Sequence, residues 1–366
     1  MSISDFTSAS RLMLIAPHPD DEALACSVIL QRAVRAGAQV RVIYATDGDD
    51  NPWPQRAIER KWKLNAADRA RWGKLRRAEA FSALHVLGVR GADARFLGLP
   101  DQKLTALLTH DCRFTLTRLE KAIVQFSPTH LLIPSIADTH PDHSALGVML
   151  RLIANESFRD ESEMSILSYV VHGKNGPFFR RARKLRPTEA ETATKLRAIR
   201  CHKTQIKLSK KRFLRYAARP ERFLKFGEWE ESAGDDAVRS ISRDAHFVRL
   251  KLRLDIKPSR RSKPTLLILG RHTGDEVRCA RMEFPVRSSR PDLVDCCTGD
   301  SAAKAQYRGH AFAGELAVPI FSQTHPLFIK LERRAWFFDE AGWLEVPGAS
   351  ALQFADDSRH ADVVVR

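Results

Sequence analysis

The first half of the chain alternates short apolar runs with segments of helical periodicity. Runs typical of strands buried on both faces lie at residues 12–16, 40–44, 130–134 and 165–171, and a shorter one lies at 94–97. Helical patterns fill the intervals, over residues 21–36, 74–87, 113–126 and 143–155. This repeated alternation predicts an α/β fold with a Rossmann-like, mainly parallel sheet and helices on both of its faces.

Beyond about residue 240 the pattern becomes that of antiparallel strands. Residues 248–254 alternate strictly between apolar and basic side chains, as a half-solvated strand does. Further short strand-like runs follow at 265–269, 316–321, 327–331 and 343–346, without a long helical pattern between them. We therefore predict an α/β domain over 1–226, a linker over 227–239 and a β-rich, β-sandwich-like accessory domain over 240–366.

The composition excludes several classes of protein. With 43% hydrophobic and 28% charged residues the chain is not disordered as a whole, and no apolar run approaches the roughly 20 residues that a membrane helix needs. The six cysteines form no Cys-x-x-Cys pair, which argues against a thiolate zinc site or a disulfide framework. Because the first residues also lack the features of a signal peptide, we expect a cytoplasmic location.

The net charge of +16 is concentrated in one segment. Residues 173–225 hold 18 Lys or Arg against three acidic residues, which gives a net charge of +15. A solvated surface is the ordinary reason for such a run, and single-stranded nucleic acid stacked on its aromatic residues is another. Among ligands we favour an anionic glycoconjugate or peripheral contact with an anionic membrane, and we expect no specific nucleic acid.

Polar side chains follow two of the buried strands at the point where each strand ends. The first strand leads into His18-Pro-Asp-Asp-Glu22, and the strand at 130–134 leads into Asp138-Thr-His-Pro-Asp-His143. The carboxyl ends of parallel strands share one edge of the sheet, so these segments meet there. Two imidazoles and a carboxylate suit zinc with an open fourth position, and we predict the ligands His18, Asp21 and His143. The alternative for the aspartates is helix capping.

The remaining residues of these segments match what hydrolysis requires. Zinc lowers the pKa of its bound water, and the unligated carboxylate of Asp20 is then the candidate general base. His140 is the candidate to stabilise an oxyanion or to protonate a leaving amine. Asp142 is the candidate to orient a metal-binding imidazole without binding the metal itself, with a helix cap as the alternative.

Two of the motifs together resemble one known family. Ala16-Pro-His-Pro-Asp-Asp-Glu22 with Thr139-His-Pro-Asp-His143 is similar to the PIG-L/LmbE-like zinc-dependent de-N-acetylases, which deacetylate N-acetylglucosaminyl-phosphatidylinositol and the mycothiol precursor. Weaker matches lie at residues 44–49, 76–79, 96–101 and 195–205. The resemblance covers about residues 10–225.

The resemblance implies an LmbE-like fold and a zinc-dependent N-deacetylase, with Fe²⁺ or another divalent metal as an alternative. Its reaction would be attack of zinc-bound water on the N-acetyl group of an amino sugar such as N-acetylglucosamine in a glycoconjugate, for example in lipopolysaccharide or cell-surface polysaccharide biosynthesis. Arg76 and Asp101 would contact the sugar, although Arg76 also has the spacing for a surface ion pair with Glu79. Asp47 and Asp49 would line the pocket, or form the turn at Gly48.

Several alternatives stay open at this point. The same two-His, one-carboxylate set describes non-haem iron enzymes, and the basic segment 173–225 describes a protein that binds anionic ligands. Trp53, Trp62 and Trp72 are candidates either for a lid that stacks on a glycan or for packing against the domain. His172 and His202 are more typical of structural histidines.

Overall fold

The computed structural model describes residues 5–158, 164–173, 181–226, 237–244, 246–253, 264–271, 276–310, 313–319, 326–335 and 337–346. The chain divides into two compact units. The first comprises Met1–Thr105 and Leu116–Trp229, and the second comprises Ala106–Thr115 and Glu230–Arg366. Most of the predicted linker, residues 227–236, lies outside the described residues, as do 174–180 of the basic segment and 347–366 of the predicted accessory domain.

The first unit is built on one seven-stranded sheet. Its strands are β1 (Arg11–Ala16), β2 (Gln39–Thr46), β3 (Ala94–Leu99), β4 (His130–Pro134), β5 (Ser165–Tyr169), β6 (Arg183–Leu185) and β7 (Glu221–Lys225). Their order is β3-β2-β1-β4-β5-β7-β6. Neighbours among β1 to β5 run parallel, whereas β7 is antiparallel to both β5 and β6. The predicted mainly parallel sheet is therefore confirmed.

The strand order reverses between β1 and β4. From β1 the chain adds β2 and β3 on one side, and it then crosses to β4 and β5 on the other. Open α/β sheets bind ligands at such a switch point, outside the carboxyl ends of the two strands. The segments that follow β1 and β4 are the two polar segments singled out in the sequence.

The helices of this part of the chain are α1 (Asp21–Leu24), α2 (Ser27–Arg35), α3 (Pro52–Glu59), α4 (Ala66–Leu87), α5 (Leu104–His110), α6 (Arg113–Phe126), α7 (Pro141–Ser157), α8 (Glu189–Cys201) and α9 (Lys203–Leu214), with a 3₁₀ turn at Gly91–Asp93. The helix predicted over 21–36 is two helices, because residues 25 and 26 interrupt it. The helix predicted from residue 74 begins earlier, at Ala66, where Asn65 and Asp68 form a capping box.

Close packing fixes the two helices that carry the polar segments. All five residues from Leu12 to Ala16 on β1 are fully buried, and Leu12, Leu14 and Ala16 share one core with Val28 and Leu30 of α2. In α7, a Cβ atom at Gly147 would lie 2.6 Å from the carbonyl oxygen of Pro134 on β4. Only glycine lets α7 approach the end of β4 this closely, and that approach places the first turn of α7 beside β1.

The second unit contains antiparallel sheets. Its strands are β8 (Val238–Arg243), β9 (Phe247–Arg253), β10 (Thr265–Arg271), β11 (Val277–Glu283), β12 (Arg287–Ser289), β13 (Asp292–Asp295), β14 (Ser301–Lys304), β15 (Gln306–His310), β16 (Ala313–Pro319), β17 (Leu327–Glu332), β18 (Arg334–Ala335), β19 (Phe338–Asp339) and β20 (Leu344–Glu345). The two larger sheets have the orders β14-β13-β11-β10-β17-β20 and β12-β15-β16-β9-β8.

One core joins these two sheets. It includes Leu250 and Leu316 from the five-stranded sheet and Ile268 and Ile329 from the six-stranded sheet. Buried and exposed residues alternate along β9, as its sequence predicts. This arrangement agrees in outline with the predicted β-sandwich. In the described part of the whole chain, no helix has the length and apolar character needed to cross a membrane.

Candidate active site

Two short turns at the carboxyl edge of the sheet bring the candidate ligands together. The turn after β1 carries His18, and Asp21 begins α1 immediately after it. The segment after β4 leads into α7, where His140 is the N-cap residue and His143 lies in the first turn. All four side chains are buried.

Three side-chain donor atoms converge on one small space. His18 Nδ1 lies 3.2 Å from His143 Nε2, and Asp21 Oδ1 lies 3.5 Å from the same His143 nitrogen. The second oxygen of Asp21 is 3.9 Å from His18 Nδ1 and accepts the backbone N–H of His18 at 2.9 Å. This side chain is therefore fixed by the turn that also carries the first imidazole.

The other ring nitrogen of each imidazole faces a buried carboxylate. His18 Nε2 lies 3.1 Å from Asp101 Oδ1 and 3.3 Å from Asp142 Oδ2. His143 Nδ1 lies 3.2 Å from Asp138 Oδ2. Carboxylates in these positions fix the tautomer and the orientation of metal-ligating histidines.

The donor set fits a divalent metal ion. Ligand bonds of 2.0–2.1 Å in a tetrahedral zinc site separate neighbouring donor atoms by about 3.3 Å. The distances of His143 Nε2 from His18 Nδ1 and Asp21 Oδ1 are close to this value, at 3.2 and 3.5 Å. His18 Nδ1 and His143 Nε2 face each other across 3.2 Å, and the second nitrogen of each ring lies beside a carboxylate. A cation bound between the two facing nitrogens would favour this arrangement. Nitrogen and carboxylate ligands suit zinc, and Fe²⁺ as well.

Charges shift the pKa values of these groups. Burial opposes the charged form of His18, but hydrogen bonds to Asp101 and Asp142 outweigh it and raise the pKa of this imidazole well above its usual value. Burial raises the pKa of Asp21 to about 6, against the opposing charge of His143. Burial also acts on Asp138, but the charge of His143 prevails and lowers the pKa of that carboxyl group.

Asp20 is held in an unusual conformation beside this set. Its φ angle is +138°, a region that residues with a Cβ atom rarely adopt. Sequence reasoning expected its carboxylate to be free, but Asp20 Oδ2 lies 3.1 Å from Arg76 Nη2. Arg76 is itself buried and donates to the carbonyl oxygens of Pro19 and Gly48. A Cβ atom at Gly48 would collide with its guanidinium, so a glycine is required there.

A second pair of buried residues supports the same turn. The backbone N–H of Asp20 donates to Glu22 Oε2 at 3.0 Å, and Glu22 Oε1 lies 2.7 Å from His202 Nε2. Both Glu22 and His202 are almost fully buried. His202, at the start of α9, thereby holds the backbone of Asp20 through the carboxylate of Glu22. This contact stabilises the positive φ angle of Asp20 from outside the turn.

His140 and Asp142 complete the first turn of α7. The backbone N–H of Asp142 donates to His140 Nδ1 at 3.2 Å, so the neutral ring carries its proton on Nε2. One His140 nitrogen also lies within 4.8 Å of a nitrogen of His18 and one of His143. Asp142 accepts the backbone N–H groups of Gln102 and Leu104, and it thus ties the loop before α5 to the site.

The predicted substrate contacts have varied environments. Asp101 is buried and accepts the backbone N–H of Asp50 at 2.7 Å besides its contact with His18. Asp47 forms an ion pair with Arg77. Asp49 is partly buried, and burial together with Asp101 raises the pKa of its carboxyl group. Arg76 pairs with Asp20, whereas Glu79 accepts from the backbone and hydroxyl of Thr204.

The sequence reading missed three features of the site. It assigned no role to Asp138, it treated Glu22 as an ordinary part of its motif, and it considered His172 and His202 structural. The His172 ring lies with its centroid 5.0 Å from that of His143 and 5.5 Å from that of His140. The signal for Asp138 was its place at the end of a strand two residues before His140, and His202 had only the weak match at 195–205.

The sequence of this region matches a known family model. The model of the GlcNAc-PI de-N-acetylases, PIG-L, matches residues 13–154, which include both polar segments and all three candidate ligands. The predicted resemblance to the PIG-L family is confirmed.

Curated relatives match part of the chain. The 1D-myo-inositol 2-acetamido-2-deoxy-alpha-D-glucopyranoside deacetylase of Mycobacterium avium (strain 104) is 31% identical over an alignment of 147 residues, and the match covers 36% of this chain and 47% of that protein. The enzyme of the same name from Corynebacterium glutamicum (strain R) is 29% identical over an alignment of 148 residues, and the match covers 37% of this chain and 50% of that protein. The chain thus spans about half the length of the curated relatives it matches.

Solved structures resemble it more distantly. The N,N'-diacetylchitobiose deacetylase from Pyrococcus horikoshii has 20% sequence identity and a TM-score of 0.46, covering 59% of this chain and 84% of that chain. The conserved protein TT1542 from Thermus thermophilus has 20% identity and a TM-score of 0.43, covering 64% of this chain and 99% of that chain.

Proposed function

We propose that this protein is a metal-dependent hydrolase that removes an N-acetyl group from an amino sugar in a glycoconjugate. The observation that carries the proposal is the convergence of His18 Nδ1, His143 Nε2 and an Asp21 carboxylate oxygen beside the unligated carboxylate of Asp20. The match to the PIG-L model and the substrates that the relatives' names state support an acetylated amino sugar as the substrate class.

His18, Asp21 and His143 would hold the metal ion, with Asp101, Asp142 and Asp138 orienting the two imidazoles. Zinc bound there supplies a Lewis acid for the amide carbonyl and lowers the pKa of water. Both imidazoles would coordinate through unprotonated ring nitrogens, and the carboxylate partners would keep those nitrogens turned inward. This arrangement supports a bound metal ion rather than direct nucleophilic attack by a side chain.

Asp20 would act as the general base. Its carboxylate takes a proton from the attacking water, and the 3.1 Å contact with Arg76 fixes the direction in which that carboxylate points. His140, with its proton on Nε2, would donate to the oxyanion or to the leaving nitrogen. Acetate and the free amine of the sugar are the products.

The sugar would lie over the loops that follow β2 and β3. Asp47 and Asp49 are the better placed contacts, because both are only partly buried, and Asp101 and Arg76 would then act on the sugar mainly through Asp50, His18 and Asp20. The cytoplasmic location, the link to lipopolysaccharide or cell-surface polysaccharide biosynthesis and the peripheral contact with an anionic membrane stay predictions.

The test measures acetate release by the purified protein. We expect turnover of N-acetylglucosaminyl conjugates such as N-acetylglucosaminyl-inositol or diacetylchitobiose, loss of activity with a chelator and recovery with Zn²⁺ or Fe²⁺. Asp20→Ala should keep its bound metal, measured by atomic absorption, and lose at least 100-fold in kcat. Asp93→Ala, a carboxylate paired with Arg90 away from the site, is the matched control. Full activity of Asp20→Ala would refute the mechanism.

A further inference from the structure

Four large apolar side chains are exposed around α3 and α9. Trp62 is 72% exposed, Leu208 53%, Trp53 42% and Ile58 37%. Trp53 and Ile58 lie on α3, Trp62 follows that helix, and Leu208 lies on α9, which packs against α3. By contrast, Trp72 on α4 is fully buried, so the segment 51–73 uses its tryptophans in two different ways.

The two exposed indoles are organised around one cation. Their ring centroids are 6.4 Å apart, and the guanidinium carbon of Arg56 lies 5.3 Å from the centroid of Trp53 and 5.1 Å from that of Trp62. Cation–π contacts at these distances hold both rings in place at the surface. These two indoles have therefore lost conformational freedom, although the rest of the fold does not bury them.

Exposed positive charge lies on the neighbouring helix. The ammonium groups of α9 that are exposed belong to Lys203, Lys207, Lys210 and Lys211. Among the described residues, none of these four has an acidic side chain within ion-pair distance. Lys195 on α8 shows the opposite case, since it is buried and lies 2.8 Å from Glu221. Part of the exposed positive charge of the 173–225 segment thus lies on α9.

We propose that this Trp–Lys surface, formed by Trp53, Ile58, Trp62 and Leu208 with Lys203, Lys207, Lys210 and Lys211, docks on the surface of an anionic phospholipid bilayer. Indoles and long lysine side chains are suited to the boundary between headgroups and acyl chains, where an apolar body and a charged tip are both satisfied. Lysines near anionic lipid add electrostatic attraction. Nucleic acid fits less well, because the aliphatic side chains of Ile58 and Leu208 offer no stacking face to a base.

Both elements of the Trp–Lys surface also touch the candidate site. The loop that leads into α3 donates from the backbone N–H of Asp50 to Asp101, which contacts His18. The start of α9 supplies His202 to Glu22 and Thr204 to Glu79. If the proposed deacetylation holds, docking through α3 and α9 would bring the catalytic edge toward amino sugars carried on lipid. That consequence rests on the proposed function, whereas the binding itself does not.

The test is sedimentation of the purified full chain with vesicles, without substrate. We expect binding to phosphatidylcholine vesicles that contain about 30% phosphatidylglycerol, with a blue shift of tryptophan fluorescence, and little binding to pure phosphatidylcholine. Lys207→Gln, Lys210→Gln and Lys211→Gln together should weaken binding about 100-fold. Trp53→Ser with Trp62→Ser should weaken it at least tenfold and abolish the blue shift.

Matched variants separate this surface from general charge and apolarity. Arg287→Gln, Arg290→Gln and Lys304→Gln remove the same charge from exposed positions of the second unit and should leave binding within about threefold. Phe114→Ser, which removes another exposed aromatic side chain, should do the same. The proposal is overturned if both triple variants weaken binding equally, if neutral vesicles bind as tightly, or if single-stranded DNA binds more tightly than the vesicles.

A further measurement distinguishes the docking surface from the proposed function. Asp20→Ala should bind the anionic vesicles as the wild type does, because that side chain lies within the site and contributes no exposed charge to α3 or α9. Vesicle binding without acetate release would contradict the proposed function and support the docking surface. Acetate release without vesicle binding would contradict the docking surface and support the proposed function.

Discussion

Asp138 holds one of the candidate ligands and is itself held by the backbone. Its Oδ2 atom lies 3.2 Å from His143 Nδ1 and accepts the N–H groups of Val171 and His172, while Oδ1 accepts that of His140. A carboxylate with this many donors stays ionised and fixed in direction. It therefore lies where it can orient the ring of His143, and it fixes the position of the loop after β5.

Asp138→Asn tests this role. The asparagine side chain keeps the shape of the aspartate, but only its oxygen can accept hydrogen bonds. Its NH2 group cannot accept from the N–H groups that bind the second carboxylate oxygen in the wild type. We expect zinc affinity to fall about 10- to 100-fold, measured by competition with a chelating dye, with the far-UV circular dichroism spectrum unchanged. Asp93→Asn should bind zinc as the wild type does. Unchanged affinity in Asp138→Asn would mean that His143 needs no orienting partner.

The convergence of the candidate ligands could be predicted from the sequence, and so could the place of Asp142 beside an imidazole, whereas the partners of Asp20 and Glu22 could not. His18, Asp21 and His143 follow buried strands at short range, and strand ends in a parallel sheet converge by topology. The partners of Glu22 and Asp20 are His202 and Arg76, which come from distant parts of the chain. Sequence spacing carries no information about such contacts.

The turn between β1 and α1 depends on α9. His202, at the junction of α8 and α9, bonds to Glu22, and Glu22 accepts the N–H of Asp20 in its strained conformation. Removal of the imidazole would leave a buried carboxylate without its partner, at a cost of about 1–3 kcal/mol. The strained turn would then relax and carry Asp20 away from its present position.

His202→Ala should therefore lower kcat for acetate release about 10- to 100-fold, with KM and bound metal nearly unchanged. His202→Gln should recover most of that loss, since its amide N–H can still donate to Glu22. A purely structural role would instead give equal activity per folded molecule in both variants. Measurement of kcat and KM on metal-quantified protein distinguishes the two.

Glu191 joins α2 to the start of α8. Its carboxylate accepts from Arg32 at 3.0 and 3.1 Å and from the backbone N–H of Thr188 at 2.9 Å, which completes a capping box. Burial alone would raise its pKa, but these partners lower the pKa of Glu191 from 4.5 to about 2. The carboxylate form is thus favoured in the folded protein.

Glu191→Gln should lower the free energy of unfolding by about 1–2 kcal/mol at pH 7, a value reduced from the full shift because Arg32 is partly solvated. A lowered pKa stabilises the fold above pH 4.5, and that contribution disappears as the pH falls toward 2. Urea unfolding at pH 7, 5 and 4 should show the difference from wild type narrowing only at the lowest pH. A difference independent of pH would show that the lost hydrogen bonds matter and the charge does not.

Whole elements were predicted best where burial dominates. The runs of β1 and β4 are buried on both faces, so their apolar character is continuous and unambiguous. The strands β6 and β7 were missed because both are short and carry Arg and Lys among few apolar residues, and only β6 lies at the edge of the sheet. The break between α1 and α2 was missed because Ala25 and Cys26 are buried apolar residues that a continuous helix would also accept.

Among the described residues, two large hydrophobic cores share no residue. One includes Leu12, Leu14 and Ala16 of β1, and the other lies between the two larger antiparallel sheets of the second unit. The second unit also contains a buried ion pair between Lys330 and Asp339, covered by Trp343 with its ring 5.8 Å from Lys330 Nζ. Loss of one member of such a pair leaves the other charge buried without a counter-charge, and this destabilises the fold.

Asp339→Ala leaves the buried ammonium of Lys330 without its counter-charge and should destabilise the second unit by about 3–5 kcal/mol. Because the cores are separate, we expect calorimetry to show one transition lowered by roughly 10–20 °C and the other in place. Lys330→Met combined with Asp339→Leu removes both charges and should restore most of the lost stability, which separates the charge from the packing. A single transition that moves as a whole would show that the two cores unfold together, and the acetate-releasing activity would then fall with the same midpoint.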